Sequence, residues 1–129
     1  MHKGSCLCGA VRFSISADIH HSDACHCSMC RKASGHFWAS ADVLKEELTI
    51  EAADGALRWY ASSEKVRRGF CGTCGSQLLW DPIHGKRIAF AMGALDGLTG
   101  LKHSKHICVG SKGDYYEIDH DGVPRFAES

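Results

Sequence analysis

Seven of the eight cysteines fall into three tight groups: Cys6 and Cys8, then Cys25, Cys27 and Cys30, then Cys71 and Cys74. The spacings are C-x-C, C-x-C-x-x-C and C-x-x-C. Loops this short bring two thiolates onto one metal ion with little further ordering of the chain. Thiolate-rich tetrahedral sites select zinc or iron–sulfur clusters. Seven thiolates divide into a set of four and a set of three. A four-thiolate zinc site is closed and structural, whereas a three-ligand site keeps a position for water or substrate. The pattern therefore predicts two zinc ions per chain, one sealed and one open.

The segment Cys25-His26-Cys27-Ser28-Met29-Cys30 can wrap its three thiolates around a single ion. The two remaining pairs then make the four-thiolate site, stapling the first strand to a later one. Closing so long a loop by metal adds stability as a cross-link does, which matters in a domain of this size. Other readings stay open here. Cys25, Cys27 and Cys30 could take a fourth thiolate from one pair, leaving three scattered ligands. An iron–sulfur cluster would use four cysteines and leave three over. Disulfides are a further alternative, but a C-x-C pair closes a very small, strained ring. His26 lies between two ligands, so its side chain points away from the shared ion and stands behind the metal or faces substrate. His106 and Cys108 lie on a late strand-like segment, and Cys108 reads as a small buried hydrophobe. His20, His21, His36, His84, His103 and His120 read as surface or loop residues.

The elements that must position these groups are short. At 129 residues the chain has room for one domain, residues 1–129, and its 44% hydrophobic content is enough for a core. Val11, Phe13 and Ile15 alternate with polar residues as in a half-buried strand. Ile19 to Ala24, Phe37 to Val43, Leu48 to Glu51, Leu57 to Tyr60, Val66 to Phe70, Gln77 to Trp80 and Arg87 to Met92 are also strand-like. Asp54-Gly55 marks one turn, and Asp81-Pro82 with His84-Gly85 another. No stretch keeps helical periodicity for three turns, so the fold class is mainly β, with short antiparallel strands. Each cysteine group sits where a strand meets a turn. Gly9, Gly72 and Gly75 supply the positive φ angles that zinc knuckles require. Both ends are expected to fray, Ala127 to Ser129 above all. Trp38, Trp59 and Trp80 are candidates for core or interface, so a homo-oligomer stays open.

Lysine plus arginine equals aspartate plus glutamate at fifteen each, so nothing pulls the chain toward nucleic acid or acidic lipid. There is no apolar run of membrane-spanning or signal-peptide type. The expected compartment is the reducing cytoplasm, where eight cysteines argue for metal rather than disulfides.

The segments GSCLCGAVRF, CHCSMCRKASG and FCGTCGS resemble, in order and spacing, the glutathione-dependent formaldehyde-activating enzymes, a superfamily that includes centromere protein V. FAMGALDG and HICVGSKGDYYEI are similar to the family as well. The resemblance implies a zinc-containing β-tent with zinc knuckles. It implies a structural zinc on Cys6, Cys8, Cys71 and Cys74. It also implies a catalytic zinc on Cys25, Cys27 and Cys30, completed by water or a substrate sulfur. The implied activity joins glutathione to formaldehyde, formally a carbon–sulfur lyase reaction run in reverse. Cys108 departs from the family, whose members carry an aromatic residue about there.

A zinc ion with three thiolates suits a small thiol, such as glutathione or its aldehyde adduct, because zinc deprotonates a bound thiol. Four sulfurs on zinc leave an excess of negative charge. Arg31 and Lys32 follow the last ligand and are candidates to offset it or to hold substrate carboxylates. Arg67 and Arg68 alternate on a strand before Cys71, so one faces the metals and the other water. A non-catalytic zinc-stabilised module that binds protein or nucleic acid is the alternative reading, against which the balanced charge counts.

Overall fold

Val11, Phe13 and Ile15 are buried while Arg12 between them is exposed, and this alternation sets the first sheet. In the computed structural model, which describes residues 1–129, strand β2 (Val11–Ile15) pairs antiparallel with β1 (His2–Ser5) on one side. On its other side it pairs with β5 (Leu48–Ala52), again antiparallel. The register brings Phe13 opposite Gly4 and Ile50. Gly4 must lack a side chain, because a Cβ there would stand 2.6 Å from the Phe13 ring.

The chain forms two compact units, one of residues 1–19 with 41–100 and one of residues 20–40 with 101–129. The first unit holds the three-stranded sheet and a second run of strands. In spatial order these are the C-terminal part of β4 (Trp38–Leu44), β9 (Arg87–Ala91), β8 (Gln77–Pro82), β7 (Val66–Cys71) and β6 (Leu57–Ala61). Ile15, Leu78, Leu79 and Phe90 are buried almost completely, and the Phe13 and Phe90 rings lie 6.0 Å apart. Each such side chain contributes about 1.5–3 kcal/mol on leaving water. Asp81 is buried between Lys45 Nζ at 2.9 Å and Arg67 Nε at 2.8 Å, and the Arg67 guanidinium lies over the Trp59 ring.

The second unit is built on β3 (Asp23–Cys25), which pairs antiparallel with the start of β4. It pairs parallel with β10 (Lys105–Ile107). A seven-residue helix, α1 (Ser28–Ser34), follows β3. Gly35 stops the helix with φ of 86°, a left-handed conformation that side chains resist.

The fold is mainly β, as the alternation predicts. Several local expectations give way. The strand expected over Ile19 to Ala24 shrinks to β3. Leu48–Ala52 and Leu57–Ala61 are strands on either side of the Asp54-Gly55 turn, as expected, and pair with β2 and β7. Strand β8 runs through Asp81 and Pro82, because the Asp81 ion pairs hold it extended, and the turn comes at residues 83–86. The C-terminal residues carry backbone hydrogen bonds: Cys108 N–H donates to Glu128 O at 3.1 Å and Gly110 N–H to Ala127 O at 3.2 Å. Trp38 is core, whereas Trp59 and Trp80 are half-buried.

Candidate metal centre

The first thiol group is made by two tight turns. Cys6 N–H donates to Val11 O at the start of β2, and Cys71 N–H donates to Ser76 O beyond β7. Gly9 and Gly75 take φ of 83° and 82°, the positive angles the turns need. Gly72 does not; a Cβ there would meet only the flexible Arg58 side chain, 2.7 Å from its Cδ. The sulfurs of Cys6, Cys8, Cys71 and Cys74 all lie within 4.8 Å of one another. Cys6 and Cys8 stand 3.7 Å apart, and Cys8 and Cys71 3.8 Å. A zinc tetrahedron with Zn–S of about 2.3 Å sets its sulfurs about 3.8 Å apart, so the quartet fits that ion.

Donors already face these sulfurs. Val11 N–H points to Cys6 Sγ at 3.3 Å and Cys74 N–H to Cys71 Sγ at 3.5 Å. Ser76 Oγ lies 3.2 Å from Cys74 Sγ and accepts the Leu7 N–H at 3.0 Å, so one hydroxyl ties both turns together. Hydrogen bonding from the Ser76 side chain and backbone draws the Cys74 pKa down to about 5. Cys8 accepts from the Ala10 backbone, but desolvation and its three neighbouring thiols push it up to about 11. Four thiols this close do not all ionise alone; a cation among them is what lets them.

The second group is made in six residues. Cys25 ends β3, opposite Trp38 and Ile107. Cys27 is the N-cap of α1, with its Sγ accepting Cys30 N–H at 3.3 Å, and Cys30 lies buried in the first turn. Their three sulfurs also lie within 4.8 Å of one another. Both cysteine groups could therefore hold a metal ion. None of the eight cysteines forms a disulfide.

His26 is 1% exposed, so it does not face substrate. Its Nδ1 lies 2.6 Å from Tyr116 Oη and its Nε2 3.0 Å from His106 Nδ1; His106 Nε2 lies 2.7 Å from Asp121 Oδ2. Burial above all lowers the His26 pKa to about 4, so the ring is neutral. Cys108 is half-buried, not a core residue, and is the single non-glycine at positive φ. Burial raises its pKa, partly offset by a hydrogen bond with Cys25.

Arg31 is half-buried, and its Nε is shielded from solvent without a hydrogen-bond partner; Lys32 is exposed. Arg67 is paired with Asp81 and Arg68 is buried, so Arg68 does not face water. Lys112 lies over the Tyr116 ring and donates to Gly113 O. His36 packs edge-on against Tyr116 at 4.3 Å.

Helix α1 escapes the periodicity argument, since seven residues are too few to show a period. The signal that could have found it is Gly35, a stop residue four positions beyond Arg31, whose carbonyl accepts the Gly35 N–H at 2.8 Å. Tyr116 and Asp121, and the roles of His26 and His106 between them, also escape sequence reasoning. Tyr116 lies 90 residues from His26, and His106 lies 80 away, so no local pattern announces the contacts.

Residues 1–111 match the sequence profile described as glutathione-dependent formaldehyde-activating enzyme. The chain belongs to that family. A Halomonas elongata protein provisionally named for the same activity is 29% identical over 126 residues, covering 91% of this chain and 80% of that protein. A Podospora anserina protein with the same name is 30% identical over 76 residues. An Aspergillus oryzae one is 32% identical over 76 residues. Each of these fungal matches covers 57% of this chain, and only 36% of the Podospora and 40% of the Aspergillus protein. A Rhodobacter sphaeroides protein of known crystal structure shares the fold, with a TM-score of 0.62 at 22% identity, over 95% of this chain and 98% of that one. No helix is long and apolar enough to cross a membrane.

Proposed function

We propose that this member of the family is a zinc-dependent enzyme of the carbon–sulfur lyase type, acting on a small thiol such as glutathione or on its aldehyde adduct. The convergence of three thiols, in addition to a separate quartet, carries the reading. Residues 1–129 act as one zinc-binding domain in the cytoplasm. Cys6, Cys8, Cys71 and Cys74 hold a structural zinc. Cys25, Cys27 and Cys30 hold a catalytic one, for a total of two per chain. When bound there, zinc supplies a Lewis acid that favours the thiolate form of an incoming thiol.

The chain's own residues do the remaining work. Cys30 N–H, at the start of α1, donates to Cys27 Sγ and so disperses charge on that ligand. Arg31 follows Cys30 and has a shielded Nε free to donate, which suits a substrate carboxylate; Lys32 offers a second, solvated cation. In the synthetic direction one carbon–sulfur bond forms between thiol and aldehyde, and the thiol proton ends on the new hydroxyl. The reverse reaction breaks that bond and returns the proton to sulfur.

Metal analysis with a glutathione titration, run beside turnover of S-hydroxymethylglutathione, tests this. The expected result is two zincs per chain, and turnover that Cys27→Ser abolishes while the quartet keeps its zinc. A protein replete in both zincs that neither forms nor cleaves a hemithioacetal with any small thiol refutes the reading.

A further inference from the structure

Two buried histidines of the second unit, half-buried Tyr116 and exposed Asp121 form one chain of hydrogen bonds, read from its carboxylate end. Asp121 is a carboxylate whose pKa is held below the usual range first by its hydrogen bond with His106. It can only accept, so His106 donates Nε2–H to Asp121 Oδ2. With His106 in its neutral form, Nδ1 is a bare lone pair and accepts Nε2–H of His26. His26 Nδ1 is bare in turn and accepts the Tyr116 hydroxyl. In this arrangement the two imidazoles take the same tautomer, with each ring nitrogen given one role.

We propose that Asp121, His106 and Tyr116 are positioning residues for the Cys25–Cys27–Cys30 site, gripping the ring of His26 from both sides so that the cysteines flanking it keep their sulfurs converged. The inference rests on the reading of those cysteines as a metal site, not on turnover. Cys27 and Cys30 are already braced by the helix cap. Cys25 lacks that brace, and the link from it to Cys27 is His26 alone. The His26 backbone N–H is tied to Ile107 O at 3.0 Å, and its ring stacks on Tyr116 with a centroid separation of 5.6 Å. An apolar side chain in this place would fill the volume in more than one rotamer. An imidazole with both nitrogens bonded has one allowed orientation.

The test is nitrogen NMR of the histidines and cadmium NMR of the full-length protein with cadmium in both sites. The wild type should show His26 and His106 with bare Nδ1, and one cadmium signal per site. Asp121→Ala removes the terminal acceptor. It should mix the tautomers of both rings, move the signal of the trio, and speed cadmium loss from it to a chelator about tenfold. Tyr116→Phe should speed that loss about threefold. Asp121→Glu, which restores an acceptor, should return it to within about twofold of wild type. The quartet signal should stay in place throughout, which also verifies folding. Unchanged tautomers, trio signal and chelator rate in both Asp121→Ala and Tyr116→Phe would overturn the proposal, as would a wild type with Nδ1 protonated. If no variant or wild type turns over a thiol adduct, the proposed activity fails while these readouts still decide the relay. If the wild type is active and the readouts do not move, the relay alone fails.

Discussion

Four sulfurs gathered across a long stretch of chain and three gathered from six consecutive residues sit in different surroundings. The quartet joins turns that are 63 residues apart at Cys8 and Cys71 and is faced by backbone amides and the Ser76 hydroxyl. Its members lean on strands that are paired on both edges, as β7 is by β6 and β8. The trio needs no such closure. One strand end and one helix cap bring it together, and buried His26 and His106 link onward to Tyr116 and Asp121. The contrast separates two uses of one ligand type. Sulfurs recruited from far apart constrain the chain, whereas sulfurs recruited locally leave the fold indifferent to what binds them.

The sharpest way to break that contrast is to remove one sulfur from each group. Cys71 is fully buried and closes the 63-residue separation. By loop-closure entropy, losing that staple costs about 4 kcal/mol. Cys71→Ser should therefore lose zinc from the quartet and unfold at a much lower temperature, or fail to fold at growth temperature. Cys27→Ser should change Tm little, since it removes no long-range closure. Thermal unfolding with metal counting on both variants checks this. Equal losses of stability would mean that the trio also holds the fold, and the distinction would fall.

Much of this contrast is legible in sequence, and the reason is local. Chelating spacings, strand alternation at Val11–Ile15 and the knuckle glycines all act within a few residues, so a single chain displays them. What stays hidden depends on distant partners. The pairing of β5 with β2 rather than β6 is a choice between sheets that the Asp54-Gly55 turn does not dictate. Asp81-Pro82 looks like a turn until Lys45 and Arg67 are seen to hold the aspartate. His106 and Asp121 become partners of the site only because β10 lies parallel to β3 and carries His106 opposite Ala24, next to Cys25.

The first unit has a brace that is not sulfur, and removing it sharpens the comparison by asking how much of that unit's stability belongs to metal. Asp81 is 5% exposed and bridges Lys45 and Arg67. Asp81→Ala leaves two partly solvated cations without their shared partner and should cost about 2 kcal/mol. Burial would raise the Asp81 pKa, but the hydrogen bonds and charges of Arg67 and Lys45 outweigh it and hold it low. A depressed folded pKa means that this stabilisation is complete above the unfolded value of about 3.9 and fades as pH falls through the lower folded value. Denaturant unfolding of wild type and Asp81→Ala across that acid range should show the gap between them closing as pH drops. A constant gap would show that the carboxylate charge is not what stabilises the unit.

The smallest expected effect compares two glycines with the same backbone need. Gly75 and Gly35 have φ of 82° and 86°, and a Cβ at either meets nothing within 4 Å. Space is therefore not the issue, and each alanine substitution should cost about 1 kcal/mol for the left-handed conformation alone. The consequences should differ by unit. Gly75 N–H donates to Cys71 O inside the knuckle, so Gly75→Ala strains the quartet and should lower Tm with weaker zinc retention. Gly35 N–H donates to Arg31 O at the end of α1, so Gly35→Ala loosens the helix that carries Cys30. It should weaken metal retention at the trio with a smaller change in Tm. Asparagine, which tolerates this conformation better, should recover part of each loss. If Gly35→Ala lowers Tm as much as Gly75→Ala does, the helix beside the trio contributes to the frame after all, and the two thiol groups differ less in role than in how the chain reaches them.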